Sequence, residues 1–250
     1  MKTKNKKKLG TASLLVVLGL MLVFASSLAF AQQRPAGLEI SGNVTESAGE
    51  VPPEARTDPG GTITTMILDV VQQNPRWKAY VGNLTGVLTL DDASGQSIFR
   101  WELGAEDVSG NVFITRGNDV DWTGIGCSLE PDIVDEDTSL GFTSSWADSI
   151  NATFSETTHP AITVGANTIS ANTCRSTSTF VNNNPQAQAS ADFPLILLSS
   201  GSDVVYATPL NQGSQSFNPS NDVDFQSIVP DQVTGTTTYY FYAEISGGGA

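Results

Sequence analysis

The chain has 250 residues, with 12 Lys+Arg against 26 Asp+Glu and a formal net charge of −14. Five of the basic residues precede residue 31 and none of the acidic ones does, so the remainder holds 7 basic and 26 acidic residues, a net of −19, and Lys78 is its single lysine. A surface of that sign repels phosphate backbones and argues against nucleic acid as a partner; it promotes solubility, and it also suits divalent cations.

Met1–Lys8 holds five lysines and no acid, and Leu9–Ala31 carries no charge. The apolar runs Leu14–Leu18 and Leu20–Phe24 lead to Ala29-Phe30-Ala31, with small residues at the positions a signal peptidase reads. This order predicts a secretory signal peptide over residues 1–31. Two other readings stay open. The uncharged stretch, about 20 residues, is long enough for an uncleaved anchor. A lysine block before Gly10 and an apolar run also fits a type IV pilin leader, cut beside Gly10 with the apolar helix retained. All three place residues 32–250 outside the cytoplasm, because the lysines hold the N-terminus inside.

Residues 32–61 carry Pro35, Pro52, Pro53 and Pro59, several glycines and four glutamates, with little apolar periodicity. Such a stretch cannot bury enough surface to order itself, and it reads as a flexible tether. From residue 62 the pattern becomes strand-like. Ile63–Val71 is rich in Thr, Ile and Val; Trp77–Leu90 ends in Gly-Val-Leu-Thr-Leu; Asp91–Gly95 is turn chemistry; Ser97–Leu103 and Asn111–Thr115 resume. Short β-prone runs with Gly, Asp and Ser between them predict a meander of hairpins.

Residues 129–192 are less regular. Phe142, Trp146, Phe154 and Ala161–Val164 suggest further strands, and Asn167–Asp192 reads as a long loop. Phe193–Leu198, Val204–Tyr206, Val223–Val229 and Thr236–Ile245 close the chain, the last alternating Tyr239, Phe241, Ala243 and Ile245 with polar neighbours. That alternation is a half-buried strand. No stretch beyond the leader keeps a helical apolar stripe for three turns. The expectation is an all-β fold, an antiparallel β-sandwich of roughly ten strands in a single domain over residues 62–246, with a disordered tail at 247–250. The four tryptophans sit in or beside strand-like runs, where core packing is the expected role; an exposed one would instead suit sugar stacking. A short echo, Asn118–Trp122 against Asn221–Phe225, raises the question of two related halves.

Cys127 and Cys174 are the only cysteines. An even count in an exported chain predicts a disulfide between them, closing a loop of about 48 residues and worth ~4 kcal/mol. Free thiols or metal binding are the alternatives, and a lone pair without nearby histidines makes a poor zinc site. His159 is the only histidine, and Pro160 follows it in what reads as an exposed loop. Serine and cysteine nucleophiles usually need a histidine base. Nucleophile-elbow, zinc-protease and phosphate-loop motifs are missing from the sequence. No catalytic residue is assigned and the chain reads as a non-enzyme, with a two-carboxylate hydrolase left open because carboxylates pair in space rather than in sequence.

The acidic run Glu130, Asp132, Asp135, Glu136, Asp137 is the densest in the chain. Asp132, Asp135 and Asp137 are the candidate metal ligands, calcium being the cation such oxygen-rich loops take. The spacing fits no EF-hand, and a solvated acidic loop is the alternative. No other cofactor is expected. Asn43, Asn83 and Asn151 each begin an Asn-x-Thr sequon, so all three are glycosylation candidates and expected at the surface.

The block Trp77–Gly95 followed by Trp101, with Val120-Asp121-Trp122, Tyr206–Pro209, Asp224–Pro230 and Thr238–Tyr242, resembles a family of uncharacterised exported proteins found mainly in archaea. The resemblance covers about residues 60–245. It implies a secreted or cell-surface β protein of archaeal type and carries no activity with it. The functional expectation is a non-catalytic structural or interaction protein, an envelope, filament or adhesin component whose partners are other surface proteins or itself. A glycan- or calcium-binding module and a pilin-like subunit are the alternatives. In one version residues 36–46, through Leu38, Ile40 and Val44, add a strand to a neighbour's open sheet edge.

Overall fold

The computed structural model describes residues 34–49, 52–103 and 108–247. The predicted leader over residues 1–31, with both cleavage sites, lies outside these residues, as do 248–250. The fold is all-β and antiparallel. Its strands are β1 (Ala36–Gly37), β2 (Trp77–Gly82), β3 (Val87–Asp91), β4 (Ser97–Glu102), β5 (Val108–Thr115), β6 (Gly126–Cys127), β7 (Ile162–Val164), β8 (Asn167–Ile169), β9 (Ser176–Ser178), β10 (Pro194–Ser200), β11 (Asp203–Pro209), β12 (Ser214–Gln215), β13 (Asp222–Val223), β14 (Phe225–Pro230) and β15 (Tyr240–Gly247). Two helices, α1 (Glu130–Leu140) and α2 (Ile150–Thr153), lie between β6 and β7.

A seven-stranded sheet in the order β1-β15-β5-β11-β10-β6 forms the centre, with β9 paired to the first half of β10 and β6 to the second. Its middle strands are apolar on both faces. In β10, Leu195 and Leu197 enter one core while Ile196 and Leu198 enter the other; Val204 and Tyr206 alternate likewise with Val205 and Ala207 in β11, and Val112 and Ile114 with Phe113 in β5. Continuous apolar runs of this kind mark strands covered on both sides. Each side chain so enclosed contributes about 1.5–3 kcal/mol relative to an exposed one.

The first face is covered by α1, α2 and the β2–β14 pair, through Ile133, Leu140, Ile150, Phe154, Trp77 and Val229. The second is covered by the β7–β8 hairpin and the loop carrying Trp122 and Ile125. Cys127 and Cys174 form the predicted disulfide, with Cα atoms 5.0 Å apart, and the bond ties the end of β6 to the segment leading into β9.

Several expectations change. Ile63–Val71 forms no strand. The 129–142 region is helical, because Pro131 and Asp132 start α1 and Gly141 ends it at φ 84°. Phe142, Trp146 and Phe154 pack from loops and a helix end. Asn167–Asp192 is not one loop, since it contains β8, β9 and a 3₁₀ turn at Gln188–Ser190. Within the expected tether, Ala36 and Gly37 pair with Ala243 and Tyr242 of the chain's own β15. The Asn118–Trp122 and Asn221–Phe225 segments occupy different settings, a loop and the β13–β14 edge, so the echo marks no repeated half.

Gly110 shows how closely the sheet is fitted. Its φ is +144°, and an added Cβ would overlap the backbone carbonyl of Glu244 on the neighbouring strand. Only glycine meets both conditions. Gly110→Ala is expected to cost on the order of 1–3 kcal/mol, read as a lower chemical-denaturation midpoint; an unchanged midpoint would contradict the β5–β15 register.

Candidate functional site

The acidic run of α1 acts as joinery. Glu130 pairs with Arg175 next to β9. Asp132 accepts from the Leu129 backbone N–H at 2.9 Å and from Ser199 Oγ at 3.1 Å. Asp135 is exposed. Glu136 is buried and takes a two-pronged contact from Arg116, whose Nε lies 2.9 Å from Oε1. Asp137 is buried and accepts the Ile150 backbone N–H at 2.8 Å, anchoring α2. The candidate ligands Asp132, Asp135 and Asp137 are therefore not brought together. Among the described residues no group of three or more His, Cys, Asp or Glu side chains stands close enough to hold a metal ion.

His159 is buried rather than exposed, at 3% accessibility. Its Nε2 accepts the backbone N–H groups of Thr173 at 3.0 Å and Cys174 at 2.9 Å, so the ring proton sits on Nδ1, which donates to the Pro160 carbonyl at 2.7 Å. With both nitrogens engaged by backbone, the ring braces the disulfide loop. Asn43 and Asn83 are exposed as expected. Asn151 lies half-buried on α2 with its amide oxygen enclosed.

A buried polar cluster that the sequence does not reveal forms where α1 meets the sheet. Arg116 follows β5, Glu136 projects from α1, and Tyr206 and Tyr239 stand beside them. Burial raises the Glu136 carboxyl above its usual range despite the opposing pull of Arg116. Burial chiefly, and then the Glu136 carboxylate, also push both tyrosines up. This arrangement encloses the Glu136 end of a hydrogen-bonded Arg116–Glu136 pair.

The surface offers a different feature. Ile63, Ile67 and Val71 are 100%, 92% and 92% exposed, and Met66, Leu68 and Val70 also stand in solvent. Close by in sequence, β3 and β4 pair only with each other among the described residues. Their register sets Leu88 opposite Trp101 and Leu90 opposite Phe99, an apolar face on one side of the hairpin. Phe99 and Trp101 are 56% and 47% exposed, with ring centroids 4.8 Å apart. The other tryptophans are packed: Trp122 is buried on Phe113, Trp77 lies against Phe142, and Trp146 carries the Arg76 guanidinium 4.6 Å above its ring. Monomeric surfaces rarely leave such apolar groups contiguous unless they bind something.

The fold and these features define a disulfide-closed, all-β domain with exposed apolar groups at Ile63–Val71 and on the β3–β4 hairpin. A scan against protein-family models and searches of curated proteins and of solved structures each returned no match to this chain.

Glu136 generates a pH dependence. Its folded carboxyl keeps its proton to higher pH than the unfolded one, so its contribution is full below the ordinary carboxylate range and is lost as pH rises through the raised value. Asp137 and Glu244, also raised by burial, act in the same direction. In thermal melts between about pH 4 and about pH 7 the wild type is expected to lose Tm relative to Glu136→Gln as pH rises; a difference independent of pH would contradict the burial of this carboxyl.

Proposed function

We propose that this chain is a non-catalytic secreted or cell-surface protein, a structural or interaction component of an envelope layer, filament or adhesin. The observation that carries the reading is the exposed apolar strand sequence at Ile63–Val71 together with the exposed apolar face of the β3–β4 hairpin. An acidic domain with no partner has no use for such groups and is put at risk of aggregation by them. The lysine-then-apolar head supports export, and the Cys127–Cys174 disulfide fits an oxidising compartment. The resemblance to exported archaeal proteins points the same way. Among the described residues no helix is long and apolar enough to cross a membrane, so attachment through this chain would rest with the head.

The Phe99–Trp101 pair favours a second reading, a glycan-binding module, because an exposed aromatic platform stacks on sugar faces. Calcium binding at Asp132, Asp135 and Asp137 would require at least two of these side chains to leave their present partners.

Immunogold electron microscopy of the producing cells is expected to place the native protein in a layer or filament outside the membrane; label confined to the cytosol would overturn the reading. A glycan array probed with the wild type and Trp101→Ala separates the second reading, which needs binding that the substitution abolishes.

A further inference from the structure

Two features that the fold leaves unused fit one another. Residues 62–71 read Thr-Ile-Thr-Thr-Met-Ile-Leu-Asp-Val-Val, a strand composition, yet they join no ladder. The β3–β4 pair is a two-stranded hairpin, marginal in water without a further strand or a covering layer. β4 is exposed along all six residues and carries no partner on its outer edge among the described residues.

We propose that Ile63–Val71 of one copy adds as a third strand to the outer edge of β4 in a second copy of this chain, antiparallel, with Asp69 opposite Arg100. In that register Leu68 stands beside Trp101 and Val70 beside Phe99, which already face Leu88 and Leu90 across the hairpin. Two apolar rows, Leu88–Trp101–Leu68 and Leu90–Phe99–Val70, then share one face. The opposite face sets the only charge of the segment, Asp69, beside the only cation of the hairpin, Arg100. Arg100 has a loose neighbour in Glu102, 3.9 Å away and exposed, which contributes little. A one-residue slip would turn Asp69 onto the aromatic face, so the side-chain pattern specifies the register. Elsewhere the net charge of −19 beyond residue 31 opposes the approach of another copy.

The donor is a second copy because the chain's own segment does not reach. β2 runs alongside β15: Lys78 lies over Tyr239, Tyr80 packs on Phe241, and Gly86 abuts Ile245. The base of the hairpin is therefore about six strand residues, roughly 20 Å, from the start of β2. Asp148 fixes that start by holding Arg76 at 2.7 Å and the Trp77 indole at 2.8 Å. From Trp77 back to Val71 the chain spans at most roughly 20 Å. The proposed register needs Val71 opposite Ile98, four residues along β4 from Glu102 at that base, and the extended chain is used up in reaching the base alone.

The inference rests on the reading of this protein as an assembling surface component. Sedimentation velocity of the full chain, recovered as its own cells process it, tests both parts. The expected result is a mass that rises with concentration. Asp69→Arg and Arg100→Asp should each weaken association about fivefold or more, with the double exchange restoring it to within about twofold. Val70→Pro, in a segment outside the core, should remain monomeric. Association indifferent to these substitutions overturns the strand contact and leaves the surface reading standing. A wild type that stays monomeric overturns the contact as well. If residues 63–71 are then protected from hydrogen exchange, the strand has paired within its own chain.

Discussion

Burial of β5, β10 and β11 on both faces is the constraint from which the rest of the structure follows. An antiparallel sheet with one wet face would need one cover. These strands carry apolar side chains at successive positions, so the chain must supply two. It does so from opposite directions: the helices and the β2–β14 pair come over one face, the β7–β8 hairpin and the Trp122 loop over the other. The disulfide and His159 both act on the second cover, which is short and has few strands of its own to hold it.

The first cover is held by polar contacts from acidic side chains. Glu130, Asp132, Glu136 and Asp137 each bond to a neighbouring element, and two of them are buried. Burying a carboxylate is costly unless it is paired and hydrogen-bonded. Arg116 and the α2 backbone N–H groups supply those partners. The arrangement fixes where α1 sits more sharply than an apolar contact would, because a slip by one turn would leave both carboxylates without partners.

This explains what was legible in the sequence. The strands with clean alternation or continuous apolar runs, β10, β11, β14 and β15, are plain, as is the Cys127–Cys174 pairing. Helix α1 is not, because its core face is Ile133, Glu136, Asp137 and Leu140. The spacing is helical, but two of the four positions are acids, and apolar periodicity passes over them. Its start at Pro131 and its stop at Gly141 were the available signals. The same substitution of charge for hydrophobe made Asp132, Asp135 and Asp137 read as a loop that could hold calcium. Ile63–Val71 fails in the opposite sense: the strand composition is present, but the segment pairs with no strand among the described residues. The burial of His159 is not legible, because a histidine followed by proline in polar sequence gives no sign that backbone N–H groups will converge on its ring.

Function enters through what the two-sided core leaves over. The apolar groups at Ile63–Val71 and on the β3–β4 hairpin lie outside both core clusters, and the interaction role proposed above would use them. Native-state hydrogen exchange tests the underlying architecture most directly. The amides of β5, β10 and β11 should open only with global unfolding, while those of residues 62–71 in the dilute monomer exchange at nearly unprotected rates. Fast exchange in β10 and β11, with the slowest amides in the β2–β14 pair or in α1, would contradict a fold organised around a sheet buried on both sides.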